Sequence, residues 1–456
     1  MAVTSGILNT NFITATEFLA QREIDKDVYD VARDGSLGDL MRLMDRRVPI
    51  KTGQSNFHSF TNQSVFALST VSAVGTATGS TIVFTINTNV GNPRQGDIWE
   101  SNNVANLNRQ GYVYSAVPSG NTLVLTVKSV QGAAVPLAVA IGDTVSFNTN
   151  AASEKSKKRT NQKFDLNKSF NKLQKFREFD SVTDVASVQG IEVEFNGQKY
   201  MCPYQHIQKK KKMEGALTYS MFAGQMSSTS FSDAAPFLTD PNSDNYAVQT
   251  SGGIDWYVTT YGIVDSAAIL GTFGFLELEE ICENLTSVKA PTNYMVISTD
   301  RAKRVLDNFF KNTSSSGVNS VRMMVNGKEL DFNVDKVTYG KYTFEFINIP
   351  ALDNPQMFGS NIRKDIAGSL YFIPKDDIEI VGDGNGRADR LRIRYQKTPF
   401  TGSSASQFSD GVTHEWRDGA LANPPIGDEM AFNTHWFTEQ AIEMLGAAHS
   451  MKYTII

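Results

Sequence analysis

Along residues 69–147 apolar and polar positions alternate every second residue, in runs such as TIVFTI and TLVLTV separated by Gly, Asn, Pro and Ser turns. That period predicts short strands of a small all-β unit, a barrel or sandwich inserted into another fold. Two Gly-Asp pairs, Gly96-Asp97 and Gly142-Asp143, each precede an apolar pair and read as matching turn-to-strand entries. The period changes at residues 204–226, where Met213, Ala216, Leu217, Ser220, Met221 and Gly224 share one face of a long amphipathic helix. A shorter helix is predicted over 37–46, where Leu37, Leu40, Met41 and Met44 recur at three- and four-residue spacing within an otherwise polar segment. Such a segment buries little on itself and reads as an arm lying on something else, or as a frayed tail.

Between the two patterns, Phe164, Leu166, Phe170, Leu173 and Phe176 predict an extended ribbon with one apolar side. From residue 250 onward, helical pieces (275–288, 299–311) alternate with short strands (294–298, 321–325, 329–334, 342–348, 369–373, 391–396), an α+β body broken at Gly317, Asn326-Gly327, Pro350 and Pro355. Residues 437–449 have helical propensity, whereas the family resemblance described below implies a strand returning to the core. The pattern leaves both open.

Length and charge narrow the picture. At 456 residues the chain exceeds one ordinary core and predicts two to four packed units. No window approaches the ~20 apolar residues of a membrane-spanning helix, and MAVTSGILNTNF lacks the pattern of a signal peptide, so the expected place of synthesis is the cytoplasm. Cys202 and Cys282 are too few for a disulfide framework. The net charge of -5 argues against a dedicated nucleic-acid binder, although residues 155–177 hold nine Lys or Arg against Asp165 alone. A second run, Lys209, Lys210, Lys211 and Lys212, reads as the solvated side of the long helix. The all-β stretch carries three basic residues (Arg94, Arg109, Lys128) and three acidic ones (Asp97, Glu100, Asp143), leaving little for recognition of nucleic acid.

Candidate chemistry is sparse. His58, His206, His414, His435 and His449 never fall at the i, i+3 or i, i+4 spacing of helical metal ligands, and His414-Glu415 lacks the second histidine of a zinc-protease motif. The run VGDGNGRAD offers Asp383, Asn385 and Asp389 as oxygen donors but lacks the spacing and terminal Glu of a calcium loop, so a tight turn is expected. Trp99, Tyr112 and Tyr114 are too few for a glycan-binding platform. The expectation is therefore no catalytic, cofactor or metal site.

Five segments, in order, carry a resemblance: NKLQKFREFDSVTDVASVQG (171–190), MEGALTYSMFAGQM (213–226), SGGIDWYV (251–258), VNGKELDFNVDKVTYGKYTFEFINIPAL (325–352) and SLYFIPKDDIEI (369–380). Together they resemble the major capsid proteins of tailed bacteriophages, the Hong Kong 97 fold, in particular those of crAss-like phages. The resemblance implies an N-terminal arm and the start of an extended loop (1–60), an inserted β domain (69–147) and the returning strand of that loop (148–200). After these it implies a spine helix with the peripheral domain (201–290), then an axial domain and return (291–456). It implies an icosahedral shell subunit in the virion, assembling as hexamers and pentamers around double-stranded DNA touched only non-specifically. Portal, scaffolding and head-decoration proteins are the implied partners, with no membrane and no enzymatic activity. Another virion part, a tail or decoration protein, is the alternative, and a glycan-binding surface protein a weaker one.

Overall fold

A computed structural model describes residues 47–50, 55–62, 68–87, 93–120, 122–132, 134–155, 166–183, 201–228, 237–241, 244–315, 336–349, 352, 363–380, 386–396, 406–408, 413–420, 425, 427–428 and 430–455. Two compact units divide the chain: residues 59–169, and the remainder before and after them. Strands β1 (Arg47–Ile50) and β2 (Asn56–Asn62) come first, and β2 pairs with β9 (Leu166–Lys172), so the chain enters and leaves the smaller unit along one ribbon.

The smaller unit is a closed six-stranded barrel in the order β3-β4-β7-β6-β5-β8. Its strands are β3 (Ser69–Val74), β4 (Thr81–Asn87), β5 (Asp97–Ser101), β6 (Gly111–Ser119), β7 (Thr122–Ser129) and β8 (Thr144–Asn150). The alternation read from the sequence sets the inside: Ile82, Phe84 and Ile86 lie opposite Val127, Leu125 and Leu123, and all six are buried. Trp99 fills the centre, admitted by Gly111, where an added Cβ would stand 2.9 Å from the indole. The two Gly-Asp pairs do form equivalent turns. Gly96 and Gly142 both have positive φ, and Asp97 and Asp143 each accept from the backbone N–H three residues back while donating their own N–H to that residue's carbonyl.

The larger unit is α+β, with many strands and few helices among the described residues. After β10 (Gln174–Thr183) come helices α1 (Met201–Ala223) and α2 (Ile254–Tyr261), strand β11 (Ile263–Ser266), α3 (Phe275–Ser287), β12 (Asn293–Ser298) and α4 (Asp300–Ser315). Strands β13 (Lys336–Tyr339), β14 (Tyr342–Asn348) and β15 (Ser369–Pro374) follow, with α5 (Lys364–Ala367) before β15. The last elements are the short pair β16 (Ile378–Glu379) and β17 (Arg387–Ala388), then β18 (Leu391–Gln396), β19 (Ser406–Phe408), β20 (Thr413–Asp418), β21 (Ala431–Met444) and β22 (Met451–Thr454).

One sheet has the order β1-β18-β21-β20-β19, with β10 also pairing β21; the other runs β11-β22-β15-β12-β14-β13. In the second sheet Leu370 and Phe372 of β15 pack with α3 and α4, while Tyr371 and Ile373 pack with α1 and α2. Both faces are covered, which accounts for the uninterrupted apolar run SLYFIP.

Strands 294–298, 342–348, 369–373 and 391–396 and helices 275–288 and 299–311 are seen with shifts of a few residues at their ends. The predicted helix 37–46 and strands 321–325 and 329–334 lie outside the described residues. Three readings need correcting or completing. The ribbon does not present one apolar side: Leu166 is exposed, Leu173 packs with Ile50, Phe57 and Ala441, and Phe176 joins the core under α1. On α1, Ala216 faces solvent whereas Thr218 and Phe222 are buried, because β10 and α2 both pack against the helix and widen its covered arc. The end of the chain is strand, since Trp436, Ile442 and Met444 alternate into the core while β10, β18 and β20 pair with β21; these contacts override local helical propensity.

Candidate functional site

The residues singled out for chemistry are scattered. His58 is exposed and its ring lies 5.9 Å from Phe170. His414 packs parallel to Phe437, and His435 stacks on Trp416 at 4.9 Å with its Nε2 2.9 Å from Asp418 Oδ2. Burial and nearby Arg390 push His449 below its ordinary pKa. The side chains of His206 and Cys202, and the loop residues Asp383 and Asn385, lie outside the described residues; Asp389 is half-buried. Among the described residues no group of three His, Cys, Asp or Glu is placed to hold a metal ion. Burial pushes the Cys282 thiol up to about 11, away from the thiolate form a nucleophile needs. Trp99 is sealed in the barrel, and Tyr114 lies under the Lys128 ammonium, 3.7 Å from the ring centre.

The lysine run on α1 is not simply solvated. Lys209 Nζ donates to buried Asp180 (2.7 Å) and to the Phe179 carbonyl, and Lys212 reaches Glu178 at 3.8 Å, so the run binds the acidic positions of β10. Lys172, from the basic stretch, is buried and donates to the Ser227 carbonyl.

What the fold does bring together is a buried junction where α1 ends and α2 begins. Gly253 N–H donates to the Gly224 carbonyl, and the backbones cross so closely that a Cβ on Gly253 would stand 2.6 Å from the Phe222 carbonyl oxygen. Asn171, fully buried, donates to the carbonyls of Gly252 and Ile442 and accepts from Gly252 N–H. Gln174 accepts from the Ser220 hydroxyl and the Ser251 N–H, tying the ribbon to the same crossing.

Four charged groups close the junction. Asp255, in the first turn of α2, accepts from Lys452 Nζ (2.7 Å) and Tyr371 OH (2.8 Å) on one oxygen and from Arg363 Nη2 (2.8 Å) on the other. Asp365 accepts from Arg363 Nε (3.0 Å) and Nη2 (2.9 Å) and from Lys452 Nζ (3.2 Å), and Arg363 Nη1 reaches the Ala223 carbonyl at the end of α1. The hydrogen bond from Arg363, with Lys452 beside it, holds the Asp365 carboxyl well below the usual range against the effect of burial. Burial, with Asp255 nearby, raises Tyr371 well above its ordinary value, so it remains a neutral donor. Two acids and two bases balance, and both Asp255 oxygens are already engaged within the protein. This arrangement joins α1, α2, α5, β15 and β22; it does not present a reactive group to a substrate.

Sequence reading missed this cluster, since Arg363 and Lys452 lie more than a hundred residues from Asp255. The available signal was a lone charge inside each of two apolar runs, IDWYV and MKYTII. An open polar groove of 910 Å³ elsewhere in the larger unit is lined by both signs of charge, among them Lys336, Glu345, Asp376, Glu379 and Arg387.

No protein-family model matches the chain, and no curated protein matches its sequence. Solved structures do. One chain of the cyanophage A-1(L) capsid asymmetric unit is 9% identical with a TM-score of 0.49, the match covering 97% of this chain and 98% of that one. A chain from the capsid of the native GTA particle is 7% identical, with a TM-score of 0.41 and coverage of 98% and 99%. A chain from the capsid of cyanophage P-SCSP1u is 8% identical, with a TM-score of 0.41 and coverage of 98% and 96%.

Proposed function

We propose that this chain is the major capsid protein of a tailed bacteriophage, a shell subunit of the Hong Kong 97 kind that self-assembles as hexamers and pentamers around double-stranded DNA. The observation that carries the reading is the place of the five resembling segments in the fold. Residues 171–179 run through the end of β9 into β10, and residues 213–224 form the C-terminal half of α1 and end at the Gly224 crossing. The Gly-Gly-Ile segment makes the other side of that crossing and starts α2, Gly340 turns β13 into β14, and SLYFIP is the central strand β15. On this reading α1 is the spine helix, β9 and β10 are the returning part of the extended loop, and the barrel is an insertion in that loop. The second sheet is mainly the axial domain, with β11 contributed from the 201–290 segment, and β18 to β21 of the first sheet are the return to the peripheral domain.

A buried, self-satisfied junction suits such a role. The subunit needs a rigid body that keeps its shape while neighbouring copies pack against it. Portal, scaffolding and decoration proteins are the further partners, DNA contact is non-specific, and the site of action is the virion. Electron microscopy of the purified protein, with sedimentation to weigh the particles, tests the reading: closed shells or hexameric capsomers are expected, whereas tubes or a monomer at high concentration would overturn it.

A further inference from the structure

The turn between β21 and β22, residues 445–450, carries the chain from the first sheet to the second, and it is clamped on three sides. Leu445 N–H donates to the Arg390 carbonyl (2.8 Å), and Tyr294 OH donates to the His449 carbonyl (2.9 Å). Gly446 has a positive φ of 67° and lies on the Arg390 guanidinium, where an added Cβ would stand 2.7 Å from Nη1. α2 closes the third side, since a Cβ on Gly262 would stand 2.6 Å from the Ser450 carbonyl oxygen. Within the turn, His449 N–H and Ser450 N–H donate to the carbonyls of Gly446 and Ala447.

Unlike the Asp255 junction, this clamp leaves its charge unpaired. Arg390 is only 9% exposed, yet its Nε donates to the backbone carbonyl of Asp376 (2.6 Å) rather than to a carboxylate, and no described residue accepts from its buried Nη1. His449 Nδ1 is likewise shielded from solvent and has no partner among the described residues. An unbonded neutral imidazole nitrogen costs far less there than an imidazolium, which would bury an N–H and a positive charge beside a guanidinium with no acceptor for either.

The ionisable groups on the elements around the turn do not offset that charge. Asp376 and Asp377, after β15, act on Arg390 only at longer range, and the Tyr294 hydroxyl of β12 is spent on the His449 carbonyl. Asp265 of β11 is taken by Asn284, Glu443 of β21 by Arg392, and Asp255 and Asp365 by Arg363 and by Lys452 of β22. α2 brings Tyr257 and Tyr261, and phenols do not ionise on acidification. Burial, with Arg390 beside it, accordingly holds His449 below its ordinary pKa.

We propose that His449 is an acid-sensitive pin in the β21–β22 turn: neutral, it lets the turn close on Arg390; protonated, it is driven from that cation and opens the turn, loosening the passage from the first sheet to the second. The device lies within one subunit, so it is independent of the shell reading. Because the closed turn disfavours the proton, closure is complete above pH ~6.5, the value of a free imidazole, and is lost as pH falls below it. That window lies above the one governed by Asp365.

Hydrogen exchange of the full-length chain tests the pin, read by mass spectrometry on peptides covering 445–455 and corrected for the intrinsic effect of pH. Protection of the Leu445, His449 and Ser450 amides should fall severalfold from about pH 7 to about pH 5 in the parent. His449→Gln and His449→Phe, neither of which takes up a proton, should keep the parent's neutral value at both pH values. Arg390→Gln, which removes the opposing cation, should flatten the profile, and the two His449 variants decide the matter on their own where Arg390→Gln does not fold. A level parent profile, or an equal fall in the His449 variants, would overturn the proposal. So would a folded Arg390→Gln chain that keeps the parent's pH profile, or a fall shared by the barrel peptides of residues 122–129, which would mark general acid unfolding.

Discussion

At the residue scale, Asp255 is the position on which most of the buried junction depends. Its carboxylate is shared by Arg363, Lys452 and Tyr371, so Asp255→Asn would leave the buried Lys452 ammonium and half-buried Arg363 with only the exposed Asp365 carboxylate. Breaking a buried pair in this way costs about 3–5 kcal/mol, and chemical denaturation of the unassembled subunit should report a loss of that size. Asp365 gives the cluster a pH signature. Its folded pKa lies well below that of the unfolded chain, so the stabilisation is fully present above pH ~4 and is lost as pH falls through the folded value. The denaturation midpoint should therefore drop from pH 5 to pH 3 more steeply in the parent than in Asp365→Asn. Equal slopes would mean that the carboxylate is not held by Arg363. None of these partners could be chosen from sequence spacing, because the junction is made by residues from widely separated stretches of the chain. A lone charge in an apolar run says that a partner exists without saying where.

At the element scale, α1 separates packing from charge. Met213, Leu217 and Met221 are buried in the core shared with both sheets, and Leu217→Ala should cost ~2–5 kcal/mol from lost burial plus a cavity. Lys210→Gln together with Lys211→Gln should change stability by less than ~1 kcal/mol, since exposed charges contribute little. Lys209→Gln should cost about 1–3 kcal/mol, because it removes a charge-assisted hydrogen bond from buried Asp180. If Leu217→Ala proved neutral while the double lysine variant unfolded, the helix would be facing the other way. The helix was legible because its apolar stripe repeats over several turns of chain. The C-terminal segment was not, since Glu, Gln, Ala, Met and Leu favour a helix locally, and only three neighbouring strands hold residues 431–444 extended. The barrel was legible because a two-residue period with Gly and Asn turns leaves few alternatives, and the Gly-Asp pairs marked its equivalent turns.

At the scale of the whole molecule, the chain passes into and out of the barrel along β2 and β9, with its own closed sheet and its own core between them. Residues 59–169 expressed alone should give a β-type circular dichroism spectrum and a cooperative melt, and a disordered spectrum would contradict the division into units. The most direct measurement is an electron cryo-microscopy reconstruction of particles formed by the purified full-length chain. A closed icosahedral shell of hexamers and pentamers is expected, with α1 and both sheets placed in every subunit. A helical tube, a ring that does not close into a shell, or a chain that stays monomeric under assembly conditions would contradict it.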